Sequence, residues 1–120
     1  MKFRHRVREA IAQCKSNLCV GIDPDLEALN TFGQRELVKD GAERYLERFG
    51  CSIVEASIGV VPAIKLQSAY FEASGASGVA ALSKVISYAK SRGIIVILDA
   101  KRGDIASTMR AYGPVSYTHL

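Results

Sequence analysis

Long apolar runs are missing from this 120-residue chain: stretches such as Ile94 to Leu98 fall far short of the roughly 20 residues needed to cross a bilayer. Membrane insertion is therefore not expected. Neither GxGxxG nor the GxxxxGK run of a P-loop occurs, so Gly21, Gly75, Gly78 and Gly103 are expected in turns or close packing and not in a phosphate cradle. The three cysteines, Cys14, Cys19 and Cys51, are an odd set with no CxxC or Cys/His metal spacing, and no secretory apolar segment precedes them. They are read as reduced thiols in a cytoplasmic protein, with Cys19 a small core residue inside a strand. The two histidines, His5 and His119, have no paired ligand or nucleophile. No metal site is expected, and no internal repeat or low-complexity segment is visible.

What is present is the composition of an ordinary soluble domain: 48% apolar and 23% charged, which excludes disordered and collagen-like classes. The net charge of +4 owes much to the opening Lys2, Arg4, Arg6 and Arg8. No second basic run follows and no aromatics interleave with lysine or arginine elsewhere, so this is read as a solvated helix face, with no nucleic-acid partner.

Val7, Ala10, Ile11 and Cys14 recur at helical spacing, predicting a short amphipathic helix over 4–14. Leu18 to Ile22 is a nearly continuous apolar run stopped by Asp23-Pro24-Asp25, the pattern of a strand buried on both faces. From 34 to 55 the apolar positions Leu37, Val38, Ala42, Tyr45, Leu46, Phe49 and Ile53 fall three or four apart, predicting one long helix with Asn30 or Thr31 as its cap. A second strand is expected to begin close to Pro62 and end near Lys65. Val79, Leu82, Val85, Ile86 and Ala89 then mark a helix that Gly93 terminates, followed by a β-branched third strand over 94–98. Strand, helix, strand, helix, strand, start of helix argues for parallel strands joined by right-handed crossovers. A (β/α)₈ barrel needs about 200–250 residues, so about three of its units fit here.

Polar residues gather at the C-terminal ends of all three strands: Asp23 after the first, Lys65 in the second, and Asp99, Lys101 and Asp104 after the third. That end of an α/β sheet or barrel is where ligand sites are built. Asp99 and Lys101 are two residues apart, so extended backbone points both to one side. A flanking carboxylate keeps a lysine protonated, whereas burial alone neutralises it. A lone Asp-x-Lys is commonly a surface ion pair; five such residues converging on one end point to a site.

The string Asp99-Ala100-Lys101-Arg102-Gly103-Asp104-Ile105 matches the DxKxxD signature of the orotidine 5′-phosphate decarboxylases, and with Val96 to Leu98 before it resembles the bacterial branch of that family. Leu18 to Asp25 and Ile64 to Glu72 resemble the family's first and second strand ends in order and spacing, and the likeness covers residues 3 to 112. It implies an α/β fold forming the N-terminal part of a (β/α)₈ barrel over residues 1–112. From Gly113 the helical pattern stops, and 113–120 are expected to be a non-native or truncated tail.

The resemblance further implies a homodimer that decarboxylates orotidine 5′-monophosphate to UMP with no metal or organic cofactor. By position, Asp23 resembles the residue bonding the ribose hydroxyls and Lys65 the lysine linking ribose to the charged array. Asp99 resembles the group facing the substrate carboxylate, and Lys101 the proton donor to C6. Asp104 and Thr108 resemble residues contributed across the dimer interface. The phosphate-gripping loops follow later strands, so 120 residues on their own are expected to be inactive. Two alternatives stand beside this reading: a magnesium-dependent sugar-phosphate decarboxylase or aldolase of the same superfamily, and a non-catalytic fragment.

Overall fold

Three parallel strands, each preceded or followed by helices on a single face, make up the part of the protein that the computed structural model describes, residues 1–112. The expectation concerning 113–120 lies outside the described residues. Among the described residues, β1 (Cys19–Ile22), β2 (Ala63–Gln67) and β3 (Ile95–Asp99) form one sheet in the order β1-β2-β3. The helices are α1 (Phe3–Cys14), α2 (Thr31–Asp40), α3 (Ala42–Ser57), α4 (Ser68–Glu72), α5 (Gly75–Ser91) and α6 (Ala106–Tyr112), and a 3₁₀ turn covers Leu26–Ala28.

The register is regular: Val20 pairs with Ile64 and Ile64 with Val96, while Gly21 pairs with Lys65 and Lys65 with Ile97. Because side chains alternate, one face collects Val20, Ile22, Ile64, Leu66 and Val96 and the other Gly21, Lys65, Gln67, Ile97 and Asp99. The first face is packed by helices. Ile22, Ile64 and Leu66 are fully buried there with Leu46 and Val54 of α3, Phe71 of α4, and Ala81, Val85 and Ala89 of α5. Each large apolar side chain so buried contributes about 1.5–3 kcal/mol relative to exposure. The second face is open, and Ile97 remains 42% exposed.

The single long helix expected from 34 to 55 is in fact two. Gly41 adopts φ 80°, ψ 163°, outside the helical region, closing α2 through its N–H to the Leu37 carbonyl and opening α3, where Tyr45 N–H bonds the Gly41 carbonyl. The helical spacing continues across the break, so periodicity alone hid it. Asn30 caps α2 as expected, its Oδ1 accepting from Gly33 N–H at 2.8 Å. The second strand runs to Gln67 and not Lys65, with α4 following at once. Pro62 lies just before it, and its carbonyl accepts from Ile95 N–H at 3.2 Å. Val79, expected on the core side of α5, is 48% exposed, and β1, expected to be buried on both faces with Cys19 in the core, buries only Ile22, because it is an edge strand and its other face is open.

Two glycines set how closely the helices approach. A Cβ on Gly50 of α3 would lie 2.6 Å from Val85 Cγ2 of α5, and one on Gly78 of α5 would lie 1.7 Å from the Phe71 carbonyl oxygen of α4. Gly78 thus lets α5 turn back tightly over the segment that follows β2. Lys84 bonds Glu43 at 3.0 Å and Glu47 at 3.2 Å, and Arg92 bonds Glu55 at 2.9 Å, all across the α3–α5 seam. These pairs are exposed and contribute little beside the packing. Gly78→Ala is expected to lower stability by about 1–3 kcal/mol or more through overpacking, read as a fall in the urea midpoint. Ser87→Ala, on the exposed side of α5, should leave it unchanged; equal midpoints for the two variants contradict the packing described.

Candidate active site

All the strand-end charges singled out in the sequence emerge on or beyond the open face of the sheet. Lys65 stands at the centre of β2 in register with Gly21 and Ile97, and Asp99 closes β3 in register with Gln67. Asp23 follows β1 by one residue and folds back, its Oδ1 only 3.7 Å from where a Cβ on Gly21 would sit. The missing side chain at Gly21 leaves that space free.

Lys101 is the hub. Its Nζ donates to Asp99 Oδ1 at 2.7 Å and Oδ2 at 2.6 Å, and reaches Asp104 Oδ2 at 2.9 Å. Asp104 Oδ1 accepts from the Ile105 N–H at 2.8 Å, which holds its carboxylate in place. The carboxylates are sheltered, each 16% exposed, whereas the lysine is 52% exposed. Asp104 thus reaches back to the lysine of its own chain. Thr108 lies half-buried on α6 and is not among the groups hydrogen-bonded to the array.

The hydrogen bonds that Lys101 donates to Asp99 and Asp104 raise its pKa far above the ordinary lysine range. The Lys101 hydrogen bond in turn lowers the Asp99 carboxyl, with smaller help from Gln67 and the Lys65 charge. Asp104 is lowered by Lys101 first and by the Ile105 N–H second. Asp23 is raised, chiefly by burial; the Lys65 charge opposes that and the Asp99 charge adds to it. Lys65 therefore acts electrostatically on all three carboxylates.

Gln67 belongs to the site and was not foreseen as part of it. It is 4% exposed, its Nε2 donates to Asp99 Oδ2 at 3.2 Å, and its Oε1 is buried without a partner among the described residues. The signal available was the two-residue spacing Lys65-x-Gln67, the same that pairs Asp99 with Lys101. A separate cavity of about 260 Å³ opens nearby among Asp25, Tyr70, Ser107 and Arg110, but none of the array lines it. The charged cluster is a shelf on the open sheet, not a closed pocket.

Comparison with known proteins decides what this shelf belongs to. Residues 16–115 match the orotidine 5′-phosphate decarboxylase / HUMPS family. The chain belongs to that family. It is 42% identical over 115 residues to an orotidine 5′-phosphate decarboxylase of Rhodopirellula baltica and 43% identical over 117 residues to one of Streptomyces coelicolor. Those alignments cover 93% and 98% of this chain but 38% and 40% of the relatives, so the chain spans about two fifths of their length. The solved structure of Leishmania donovani OMP decarboxylase superposes with a TM-score of 0.56 at 36% identity, covering 99% of this chain and 41% of that one. That of Plasmodium berghei orotidine 5′-monophosphate decarboxylase reaches 0.63 at 18% identity, over 92% of this chain and 47% of that one, a likeness of fold. The three units of this family member are the opening part of a (β/α)₈ barrel, and their open sheet face is the barrel interior.

The ion pairing makes a pH-dependent test. Asp99 and Asp104, with lowered pKa values, contribute stability above the ordinary carboxylate range that is lost as pH falls through their folded-state values. Lys101, with a raised pKa, contributes below about 10.4 and loses it only as pH rises through its higher folded-state value. In Lys101→Met the two carboxylates lose the ammonium and repel each other. At least one is expected to titrate at or above the usual aspartate value of about 3.9 by carboxyl ¹³C NMR. Unchanged titration of both contradicts the described array.

Proposed function

We propose that the protein to which this chain belongs decarboxylates orotidine 5′-monophosphate to UMP, with the Lys101 ammonium as proton donor. The observation that carries the reading is Lys101 held between Asp99 and Asp104 at 2.6–2.9 Å on the face that becomes the barrel interior. Loss of CO₂ from C6 leaves an electron pair that no neighbouring carbonyl delocalises. A fixed ammonium stabilises that charge and then delivers its proton to C6. Asp99 faces the departing carboxylate and keeps Lys101 charged. Lys65, beside both, links this end to the ribose, whose hydroxyls bond Asp23. Gln67 also bonds the Asp99 carboxylate and helps to hold it in place.

The working protein is a cytoplasmic homodimer that uses no metal or organic cofactor. The resemblance assigns Asp104 and Thr108 to the partner's site. In the single chain Asp104 closes on its own Lys101, so a shared site requires the loop from 100 to 105 to present it across the interface. Three βα units leave the sheet open at both edges. Phosphate binding at later strands supplies the energy that organises the reacting end, so the activity belongs to the longer protein.

The magnesium-dependent sugar-phosphate reading fits the strand ends less well. Near the second strand, where those relatives place an extra acidic ligand, this chain offers Lys65 and Gln67, whose amide donates to Asp99. The test is loss of orotidine 5′-monophosphate absorbance, comparing the 120-residue chain with a version extended to the length of its relatives. The extended protein is expected to turn over the nucleotide, Lys101→Ala to abolish turnover, and the short chain to show none. An extended protein inert toward the nucleotide but active on a sugar phosphate with magnesium contradicts the proposal.

A further inference from the structure

The loop that carries Lys101 and Asp104 has no regular structure between the end of β3 and the start of α6. Only at its far end does it join a helix, the Ile105 carbonyl accepting from Met109 N–H at 3.0 Å among the described residues. Arg102, between Lys101 and Gly103, has φ 67°, the left-handed region that costs a non-glycine residue about 1–2 kcal/mol. That turn reverses the backbone so that Asp104 comes back toward the Lys101 ammonium, and something must pin it.

The Arg102 guanidinium does so at two points. Nη1 donates to the Ala100 carbonyl at 3.0 Å, closing the turn on itself, and Nη2 donates to Glu72 Oε1 at 2.5 Å. Glu72 is the last residue of α4, directly after β2, and its neighbours Phe71, Ala69 and Ser68 are buried. The Glu72 side chain is 14% exposed and its Oε2 is buried without a partner among the described residues. Removing the guanidinium would therefore leave that carboxylate without its cation, so the two groups act as one unit. The anchor is core and the tethered segment is loop.

We propose that Glu72 and Arg102 are positioning residues for the decarboxylation: their ion pair fastens the turn after β3 to the α4 end and thereby fixes the Lys101 ammonium against Asp99. Neither residue touches the array's hydrogen bonds, so the effect passes through the loop. The proposal rests on the function given above for its kinetic readout, while its geometric readout does not need that function.

The experiment uses the extended, full-length protein with Glu72→Gln, Arg102→Gly and the double variant. Arg102→Gly is the informative change, because glycine adopts the left-handed turn freely and so removes the guanidinium, with its bonds to Glu72 and the Ala100 carbonyl, without straining the backbone. Each single variant is expected to keep its thermal midpoint within a few degrees and its KM within about threefold, while kcat falls about tenfold to a hundredfold. The double variant should fall no further than the worse single, and the Asp99 carboxyl should titrate closer to the ordinary value in each. Wild-type kcat in Arg102→Gly, a loss confined to KM, multiplicative losses in the double variant, or an unmoved Asp99 titration would each overturn the proposal. If the unsubstituted protein fails to decarboxylate the nucleotide yet Asp99 still shifts in the variants, the clamp stands and the assigned reaction falls.

Discussion

Parallel strand register is the constraint on which the arrangement depends. Once Gly21, Lys65 and Ile97 stand at one level, and Gln67 opposite Asp99 at the next, alternation alone decides which side chains meet helices and which meet the barrel interior. A slip of one residue in β2 would send Lys65 and Gln67 into the packed face with Phe71 and Val85 and bring Ile64 and Leu66 out. The full burial of Ile64 and Leu66 opposes that slip, so the apolar core and the charged array fix each other's positions.

The array itself is an electrostatic balance on a partly sheltered surface. A lone lysine here would gain little; between two carboxylates it is held charged, and they are held charged by it. Asp23 is the exception, because burial outweighs the favourable Lys65 charge and its carboxyl moves upward. Two neighbouring aspartates are thus displaced in opposite directions, one by the ammonium it grips and the other by burial.

Much of this was legible in the sequence. The strand runs at 18–22 and 94–98 were found within a residue, because β-branched and apolar continuity is a strong local signal. Lys65, Asp99, Lys101 and Asp104 were singled out because they fall at or just beyond strand ends, and the two-residue spacing of Asp99 and Lys101 is geometry that survives without coordinates. What was not legible depends on single dihedrals and tertiary contact. Gly41 breaks a helix whose periodicity runs straight through it. Val79 keeps helical phase with the core residues yet faces solvent. Glu72 pairs with Arg102 across thirty residues, with nothing in either local pattern to announce it.

The central claim is that Lys101 is an ammonium locked between carboxylates on the interior face of the barrel, and ¹⁵N NMR titration of its Nζ in the full-length protein tests it most directly. The account predicts that the resonance stays in its protonated form past the ordinary lysine pKa of about 10.4, and that Asp99→Asn brings the transition down. A lysine that titrates at or below the ordinary value in the unsubstituted protein would contradict it.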